Sequence, residues 1–180
     1  MKCFCLLLCL CALLCPLWGN ETVHLIASFD LSALDALWRS HVELRAAFEM
    51  RSELGVGISI PLVLLLDRSG GGEALFETAV KLVCLPWSDG PFIALSLAQI
   101  DLFVGPSVPQ HTYHYLSEIE FGYSWEFLPR FYVMGSLIYR DPGDASVDSY
   151  SYIYSFLPTF SKLKASLRIG WNFLSLAGDH

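Results

Sequence analysis

The sequence predicts an all-β fold, namely an eight-stranded antiparallel up-and-down transmembrane β-barrel. Hydrophobic residues make up 54% of the chain and charged residues only 16%, below the roughly 25% charged residues of soluble domains. Beyond residue 19, no uninterrupted apolar run reaches the ~20 residues that a membrane-spanning helix needs. Many segments instead alternate apolar and polar residues with the period of two that marks a β-strand. Because lipid tolerates only helices and closed barrels, this combination favours a barrel.

Residues 1–19 have the layout of a secretory signal peptide, with one early lysine, an apolar run and a small residue, Gly19, before the expected cleavage point. The apolar run is too short to span a bilayer. After cleavage only Cys84 of the six cysteines would remain, which excludes an intrachain disulfide. Lipidation of Cys15 is the alternative, and Leu14 in front of that cysteine disfavours it.

Residues 20–41 are predicted to form a lead-in to the barrel. A short N-terminal helix is one interpretation of this region, because Leu31, Leu34 and Leu37 recur at helical spacing. Residues 42–51 then alternate with a period of two, which favours a strand. A single long helix over residues 32–53 is the alternative, since its alanine, leucine, glutamate and arginine content favours helix.

The predicted barrel covers residues 42–173, and residues 174–180 are a C-terminal tail. The eight predicted strands are 42–51, 55–66, 74–85, 92–104, 113–127, 131–140, 149–157 and 162–173. Glycine, proline and aspartate between them are typical of turns. In segment 92–104 Gln99 and Asp101 fall on the apolar side of the alternation, which predicts a bulge or a change of register.

Charged residues follow the face of the strands opposite the apolar one. They are Glu43, Arg45, Glu49, Arg51, Glu77, Lys81, Glu118, Glu120, Glu126, Lys164 and Arg168. An eight-stranded barrel has an interior only wide enough for side chains, so this set predicts a buried network of ion pairs. Neighbouring first and last strands would bring Glu43 and Glu49 near Lys164 and Arg168. One hypothesis is a polar permeation or gating path, and a structural plug without an open channel is favoured over it.

Aromatic residues make up 14% of the chain, and several lie near predicted strand ends. These are Trp125, Phe127, Phe131, Tyr132, Tyr150, Trp171 and Phe173. Membrane barrels place such residues in girdles at the two interfaces, whereas core packing in a soluble protein is the alternative interpretation.

Few features point to chemistry. The formal net charge of −7 argues against nucleic-acid binding. The one close histidine pair, His111 and His114, lacks an identifiable third metal ligand. No nucleophile elbow is visible, and the glycine run at 70–72 lacks the lysine of a phosphate loop. We therefore expect neither enzymatic activity nor a cofactor.

The signal peptide, the eight alternating segments and the closing RIGWNF resemble a small outer-membrane β-barrel, and more loosely the outer-membrane protein W group. The resemblance implies an outer-membrane location, contact with outer-membrane lipid and with the barrel-assembly machinery, and passage of small hydrophobic molecules. Gly170, Trp171 and Phe173 resemble the aromatic-ended assembly signal of such proteins, although seven residues follow Phe173.

If the last predicted strand ends in the periplasm, the short turns near 52–54, 87–91, 128–130 and 158–161 face outward and the longer ones at 67–73, 105–112 and 141–148 face inward. Known barrels usually have the reverse. The alternative function is that of a soluble exported lipocalin-like barrel, with its aromatic faces turned inward around an apolar ligand.

Overall fold

The chain forms a closed antiparallel β-barrel in a computed structural model that describes residues 22–32, 41–67, 74–87, 89–104, 110–141 and 162–176. Its strands are β1 (Val23–Asp30), β2 (His41–Ser52), β3 (Val56–Asp67), β4 (Ala74–Cys84), β5 (Gly90–Val104), β6 (Gln110–Tyr115), β7 (Glu118–Leu128), β8 (Phe131–Arg140) and β9 (Leu163–Leu176). Their order in the sheet is β4-β3-β2-β1-β9-β8-β7-β5-β6, and pairing of β4 with β5 closes the barrel. No helix in the described ranges is long and apolar enough to cross a membrane.

The segments β6 and β7 share one position in the barrel wall. β7 pairs with the first part of β5 and β6 with its last part. Between them Leu116 has a positive φ of 50°, which interrupts the strand. The nine segments therefore make eight barrel strands, and the predicted all-β eight-stranded antiparallel barrel is confirmed. The single strand predicted over 113–127 is divided in two.

The barrel begins at Val23, which corrects the predicted boundary at residue 42. β1 pairs with β2 on one side and with β9 on the other, so that Ala27 lies between Phe48 and Trp171. The region 20–41 thus contributes a barrel strand. Its alternation is weak because Ile26 is apolar yet faces the interior. The helical spacing after Ser32 and the signal peptide at 1–19 lie outside the described residues.

The interpretation of residues 42–51 as a strand is correct, because they form most of β2. The strand predicted at 149–157 lies outside the described residues. In the barrel wall β8 pairs directly with β9, from Phe131 opposite Trp171 to Tyr139 opposite Leu163. The eighth barrel strand is therefore β1.

Because β1 is the first barrel strand, the short turns lie at the end of the barrel opposite to the predicted one. Both Val23 and Leu176 lie at one end of the barrel, which we call the terminal end. The short turns that follow β2, β4 and β7 lie at this same end, and the strand ends that flank the longer intervals of the chain lie at the opposite, far end. The expected departure from known barrels was wrong. β9 also continues to Leu176, beyond the predicted end at residue 173.

A bulge in β5 confirms the predicted change of register. Val80 lies opposite Ala98 and Lys81 opposite Ser96, so Leu97 is the extra residue. Inward-facing positions are even-numbered before the bulge and odd-numbered after it. This shift brings Gln99 and Asp101 to the interior, where both are buried.

Two glycines of neighbouring strands give a matched test of the packing. A Cβ at Gly122 would lie 2.5 Å from the Phe92 ring and 2.6 Å from the carbonyl oxygen of Gly135. At Gly135 a Cβ would meet nothing within 4 Å. We expect Gly122→Ala to lower the free energy of unfolding by about 1–3 kcal/mol, and Gly135→Ala to leave it unchanged or raise it by under about 1 kcal/mol. Urea unfolding in detergent followed by tryptophan fluorescence measures both, and equal effects would contradict the packing.

Candidate functional site

The barrel has opposite chemistry on its two faces. Large apolar side chains are exposed all along the outer face, including Leu44, Phe48, Phe121, Leu137 and Leu167. Among the strand residues whose side chains the structure describes, no aspartate, glutamate, lysine or arginine faces outward. Charged side chains are instead buried in the interior. This arrangement is the inverse of a soluble protein, whose charged groups face water.

A continuous row of aromatic rings crosses β7, β8 and β9 near the terminal end. We call this the aromatic row; it consists of Trp125, Phe127, Phe131, Trp171 and Phe173. Successive ring centroids are 6.1–6.5 Å apart, and the rings of Phe131 and Trp171 are stacked. Tyr132 and Tyr150 do not join it, because Tyr132 faces the interior and Tyr150 lies outside the described residues.

A second set of aromatic side chains lies toward the far end. Tyr113, Tyr115 and Tyr139 are exposed on the outer face of β6 and β8. Phe131 and Tyr139 mark the two levels on one strand, and a strand rise near 3.3 Å at the usual barrel tilt separates them by about 20 Å along the axis. The outer face therefore carries an apolar band with aromatic residues at both margins, as membrane barrels do.

Apolar side chains fill the interior toward the terminal end. This apolar plug consists of Ile26, Val83, Leu85, Phe92, Ala94, Tyr132 and Met134. Gly170 packs against it, since a Cβ there would lie 2.9 Å from the Met134 methyl group. The Arg168 guanidinium lies 5.8 Å from the centre of the Phe92 ring, at the boundary between the plug and the charged half of the interior.

The charged half of the interior is centred on Lys81. Its Nζ lies 2.6 Å from a carboxylate oxygen of Glu118 and 3.3 Å from one of Glu120. Arg140 contacts Glu118 at 3.1 Å, and Arg168 pairs with Glu120. The Ser136 hydroxyl also donates to Glu120 at 2.7 Å. Each buried charge in this group thus has an opposite charge in contact, which burial requires.

A second group joins β2 to β9. Lys164 and Arg45 both contact Glu43. A separate pair within β2, Arg51 with Glu49 at 2.6 Å, lies beside the apolar plug, where the Arg51 guanidinium is 5.7 Å from the centre of the Tyr132 ring. Lys164 and Glu43 belong to strands that are separated by β1. In the same way the Lys81 pairs pass over β5, and the pair between Arg168 and Glu120 passes over β8. These three sets of ion pairs therefore join β2, β9, β7 and β4, which are alternate barrel strands.

The predicted inward charges lie on the inner face, and most of them are in contact. Of the predicted proximities, Lys164 meets Glu43, whereas Arg168 meets Glu120 rather than Glu49. Glu77 is buried opposite Asp101. Glu126 stands apart from the network, because its carboxylate accepts a hydrogen bond from the Arg130 backbone N–H at the terminal end.

Sequence reasoning missed five buried ionisable residues of the described part of the chain, Asp30, Asp101, His114, Arg140 and Asp141. His114 Nε2 lies 2.9 Å from an Asp101 carboxylate oxygen, and Asp30 accepts a hydrogen bond from the Ser166 hydroxyl at 2.9 Å. The sequence did contain one signal for Asp101, because this residue falls on the apolar side of segment 92–104.

The three residues of the predicted assembly signal lie on different faces of β9. Gly170 faces inward, whereas Trp171 and Phe173 belong to the aromatic row.

Small cavities lie among the described interior residues. The one beside Asp30, Arg45 and Ser166 measures about 30 Å³, and the one beside Glu49, Lys81 and Phe92 about 10 Å³. Volumes of this size hold a water molecule or two and no larger ligand.

Comparison with known proteins gives one structural likeness. No family model matches the chain, and no curated protein matches it. The structure is similar to the crystal structure of Neisserial surface protein A (NspA), with a TM-score of 0.44 and 8% sequence identity over 85% of this chain and 97% of that chain. The assignment of the fold therefore rests on the strand pairing of this chain, which is that of a closed eight-stranded antiparallel barrel.

Proposed function

We propose that this chain is an outer-membrane β-barrel protein that serves as a closed structural or surface-displaying barrel, without catalytic activity. The observation that carries the proposal is the division between an outer face without charged strand residues and an interior filled with ion pairs. Only a surrounding of lipid hydrocarbon stabilises both faces at once, because it covers the apolar band and excludes the charges from it.

A soluble lipocalin-like barrel fits these features poorly. Such a barrel would turn its aromatic faces inward around a ligand, whereas Phe121, Tyr123 and Trp125 are exposed on the outer face. The two described interior cavities are too small for an apolar ligand. We therefore favour the membrane interpretation.

A closed barrel is favoured over an open channel. The apolar plug and the ion pair of Arg51 with Glu49 beside it fill the terminal half of the interior, and the ion pairs around Lys81 occupy the other half. The passage of small hydrophobic molecules implied by the resemblance to the outer-membrane protein W group would need a path that neither described cavity supplies.

Location in the outer membrane is supported by β9. This strand keeps Leu167, Ile169, Trp171 and Phe173 on the outer face up to its C-terminal end, as expected of a strand that the barrel-assembly machinery recognises. Outer-membrane lipid and that machinery are therefore the proposed partners.

Membrane fractionation and heat-modifiable gel migration test the membrane part of the proposal. We expect the protein to stay with the outer membrane after alkaline washing and to migrate faster unheated than heated, because the closed barrel resists detergent. A protein that stays soluble without detergent would refute the membrane location.

Planar-bilayer conductance tests the closed state separately. We expect no conductance from the wild-type barrel, and none from Lys164→Ala or Arg168→Ala. The reason is that the apolar plug lies on the terminal side of both residues and still closes the interior in these variants. A steady conductance of the wild type that either substitution alters would show a polar permeation path.

A further inference from the structure

A cluster of polar side chains lies at the terminal end, where the first and last strands of the barrel meet. Its members are Asn172 and Ser175 on β9 and His24 on β1, and we call them the seam cluster. Asn172 is 4% exposed, and its amide lies within hydrogen-bond distance of both other side chains. The seam cluster therefore crosses the pairing of β1 with β9 that closes the ends of the chain on each other.

The ladder between β1 and β9 is irregular at this point. Ile26 lies opposite Asn172 whereas Leu25 lies opposite Leu174, so Phe173 is the extra residue of a β-bulge in β9. A bulge disrupts the ladder locally and leaves a residue unpaired. Buried backbone groups beside it then need other partners, and a polar side chain at the bulge can supply them.

The surroundings of the Asn172 amide decide which way it points. On one side lie the Nδ1 atom of His24 at 3.0 Å and the Ser175 hydroxyl at 3.1 Å. On the other side lie the carbonyl oxygens of Leu174 at 2.8 Å and Leu25 at 3.2 Å. Because a carbonyl oxygen only accepts hydrogen bonds, the group that faces both carbonyls must be the amide nitrogen Nδ2. Each hydrogen of Nδ2 then has its own acceptor, and Oδ1 accepts from the other two side chains.

This orientation also determines where the proton lies on His24. Because Oδ1 of Asn172 is an acceptor, the Nδ1 atom of the ring must carry the hydrogen, and Nε2 of the neutral ring then carries none. In the opposite orientation Nδ2 would donate to a bare Nδ1, and Oδ1 would face two acceptors. The tautomer of His24 therefore reports how the amide points.

The backbone of Asn172 is bonded on the other side of β9. Its N–H donates at 2.8 Å to the carbonyl oxygen of Arg130 in the turn between β7 and β8. One residue thus contacts the turn before β8 through its backbone and β1 through its side chain. Near the far end of the same seam, Ser166 on β9 donates to Asp30 on β1, which offers a matched contact for comparison.

We propose that Asn172 joins β1 to β9 across the bulge, with Nδ2 donating to the carbonyl oxygens of Leu25 and Leu174 and Oδ1 accepting from His24. Asn172 is then a positioning residue that holds the first strand in register against the last one. This role does not depend on what surrounds the outer face, so it goes beyond the proposed membrane function.

Nitrogen NMR of the imidazole rings tests the orientation of the amide. The full chain is labelled with isotope-enriched histidine, folded in detergent micelles and measured at about pH 8, where an ordinary imidazole is neutral. The signals of His24 are identified by their absence in His24→Gln. We expect Nδ1 of His24 to be protonated and Nε2 to be bare. A bare Nδ1 on this residue would overturn the proposal.

Amide hydrogen exchange measures the effect on the seam. Asn172→Asp keeps the shape of the side chain and the acceptor toward His24, but an oxygen replaces Nδ2. We expect the backbone amides of β1 around Leu25 to exchange about tenfold faster in this variant, because two hydrogen bonds are lost and two carbonyls face an acceptor. The amides of β3 should keep their exchange rates. In the control Ser166→Ala, the lost bond to Asp30 should accelerate exchange only near the far end of β1.

Two results of the exchange experiment would count against the proposal. Exchange around Leu25 that is unchanged in Asn172→Asp would show that Nδ2 does not bond the two carbonyls. An equal acceleration in all strands would show a general loss of stability and no particular role at the seam. If Asn172→Asp does not fold, the tautomer of His24 in the wild-type chain still decides the question.

Discussion

Lys81→Met should lower the free energy of unfolding by about 3–5 kcal/mol, the range found when one member of a buried ion pair is removed. Lys81 is buried and contacts both Glu118 and Glu120. Without its ammonium group, the two carboxylates keep Arg140 and Arg168 as ion-pair partners. Methionine preserves the length of the side chain, so the loss reports the missing charge. Urea unfolding in detergent micelles, followed by tryptophan fluorescence, measures it.

The double variant Lys81→Met with Glu118→Gln separates charge from packing. Removing the carboxylate that Lys81 neutralised should restore part of the lost stability, because no uncompensated charge remains at that site. A loss below about 1 kcal/mol for Lys81→Met alone, as for a solvent-exposed pair, would mean that water fills the interior around this lysine.

Leu167→Arg should lower the free energy of unfolding in lipid vesicles by about 2–4 kcal/mol, the cost of arginine at the bilayer midplane on a membrane barrel. Leu167 is exposed on β9 between Leu163 and Trp171 and lies opposite Gly135, which places it in the middle of the apolar band. Equilibrium unfolding in short-chain phosphatidylcholine vesicles measures the effect.

Leu176→Arg is the matched control on the same strand. At the end of β9 the same substitution should cost only about 0–1 kcal/mol, since the penalty falls toward the interface. Equal costs at the two positions would contradict a lipid-facing band with its margin at the terminal end.

The alternation of residues in β2, β4, β7 and β9 was enough to predict the barrel and its inward charges. These strands put charged or small residues on one face and large apolar ones on the other. The sequence therefore indicated both the period of a strand and which face of each strand points into the barrel. The bulge in β5 was also detectable, because the polar residues Gln99 and Asp101 fall on the same side of the alternation as Leu95.

The first strand could not be predicted because its inward face is mixed. Ile26 belongs to the apolar plug while Ser28 and Asp30 are polar, so β1 shows no clear contrast between its two faces. The prediction counted residues 149–157 as a barrel strand in place of β1. It therefore assigned the short turns to the wrong end of the barrel. The specific ion pairs could not be predicted either, because they depend on the stagger of the strands. This stagger places Arg168 beside Glu120 and not beside Glu49.

The ion pairs that pass over an intervening strand have a consequence for how the barrel assembles. An isolated hairpin cannot form any of them: the pair of Lys81 with Glu118 needs β4, β5 and β7, and that of Lys164 with Glu43 needs β9, β1 and β2. A partly inserted sheet would thus expose unneutralised charges to hydrocarbon, at a cost of several kcal/mol. The last of these contacts forms only when the two ends of the chain meet, so insertion and closure are favoured as one cooperative event.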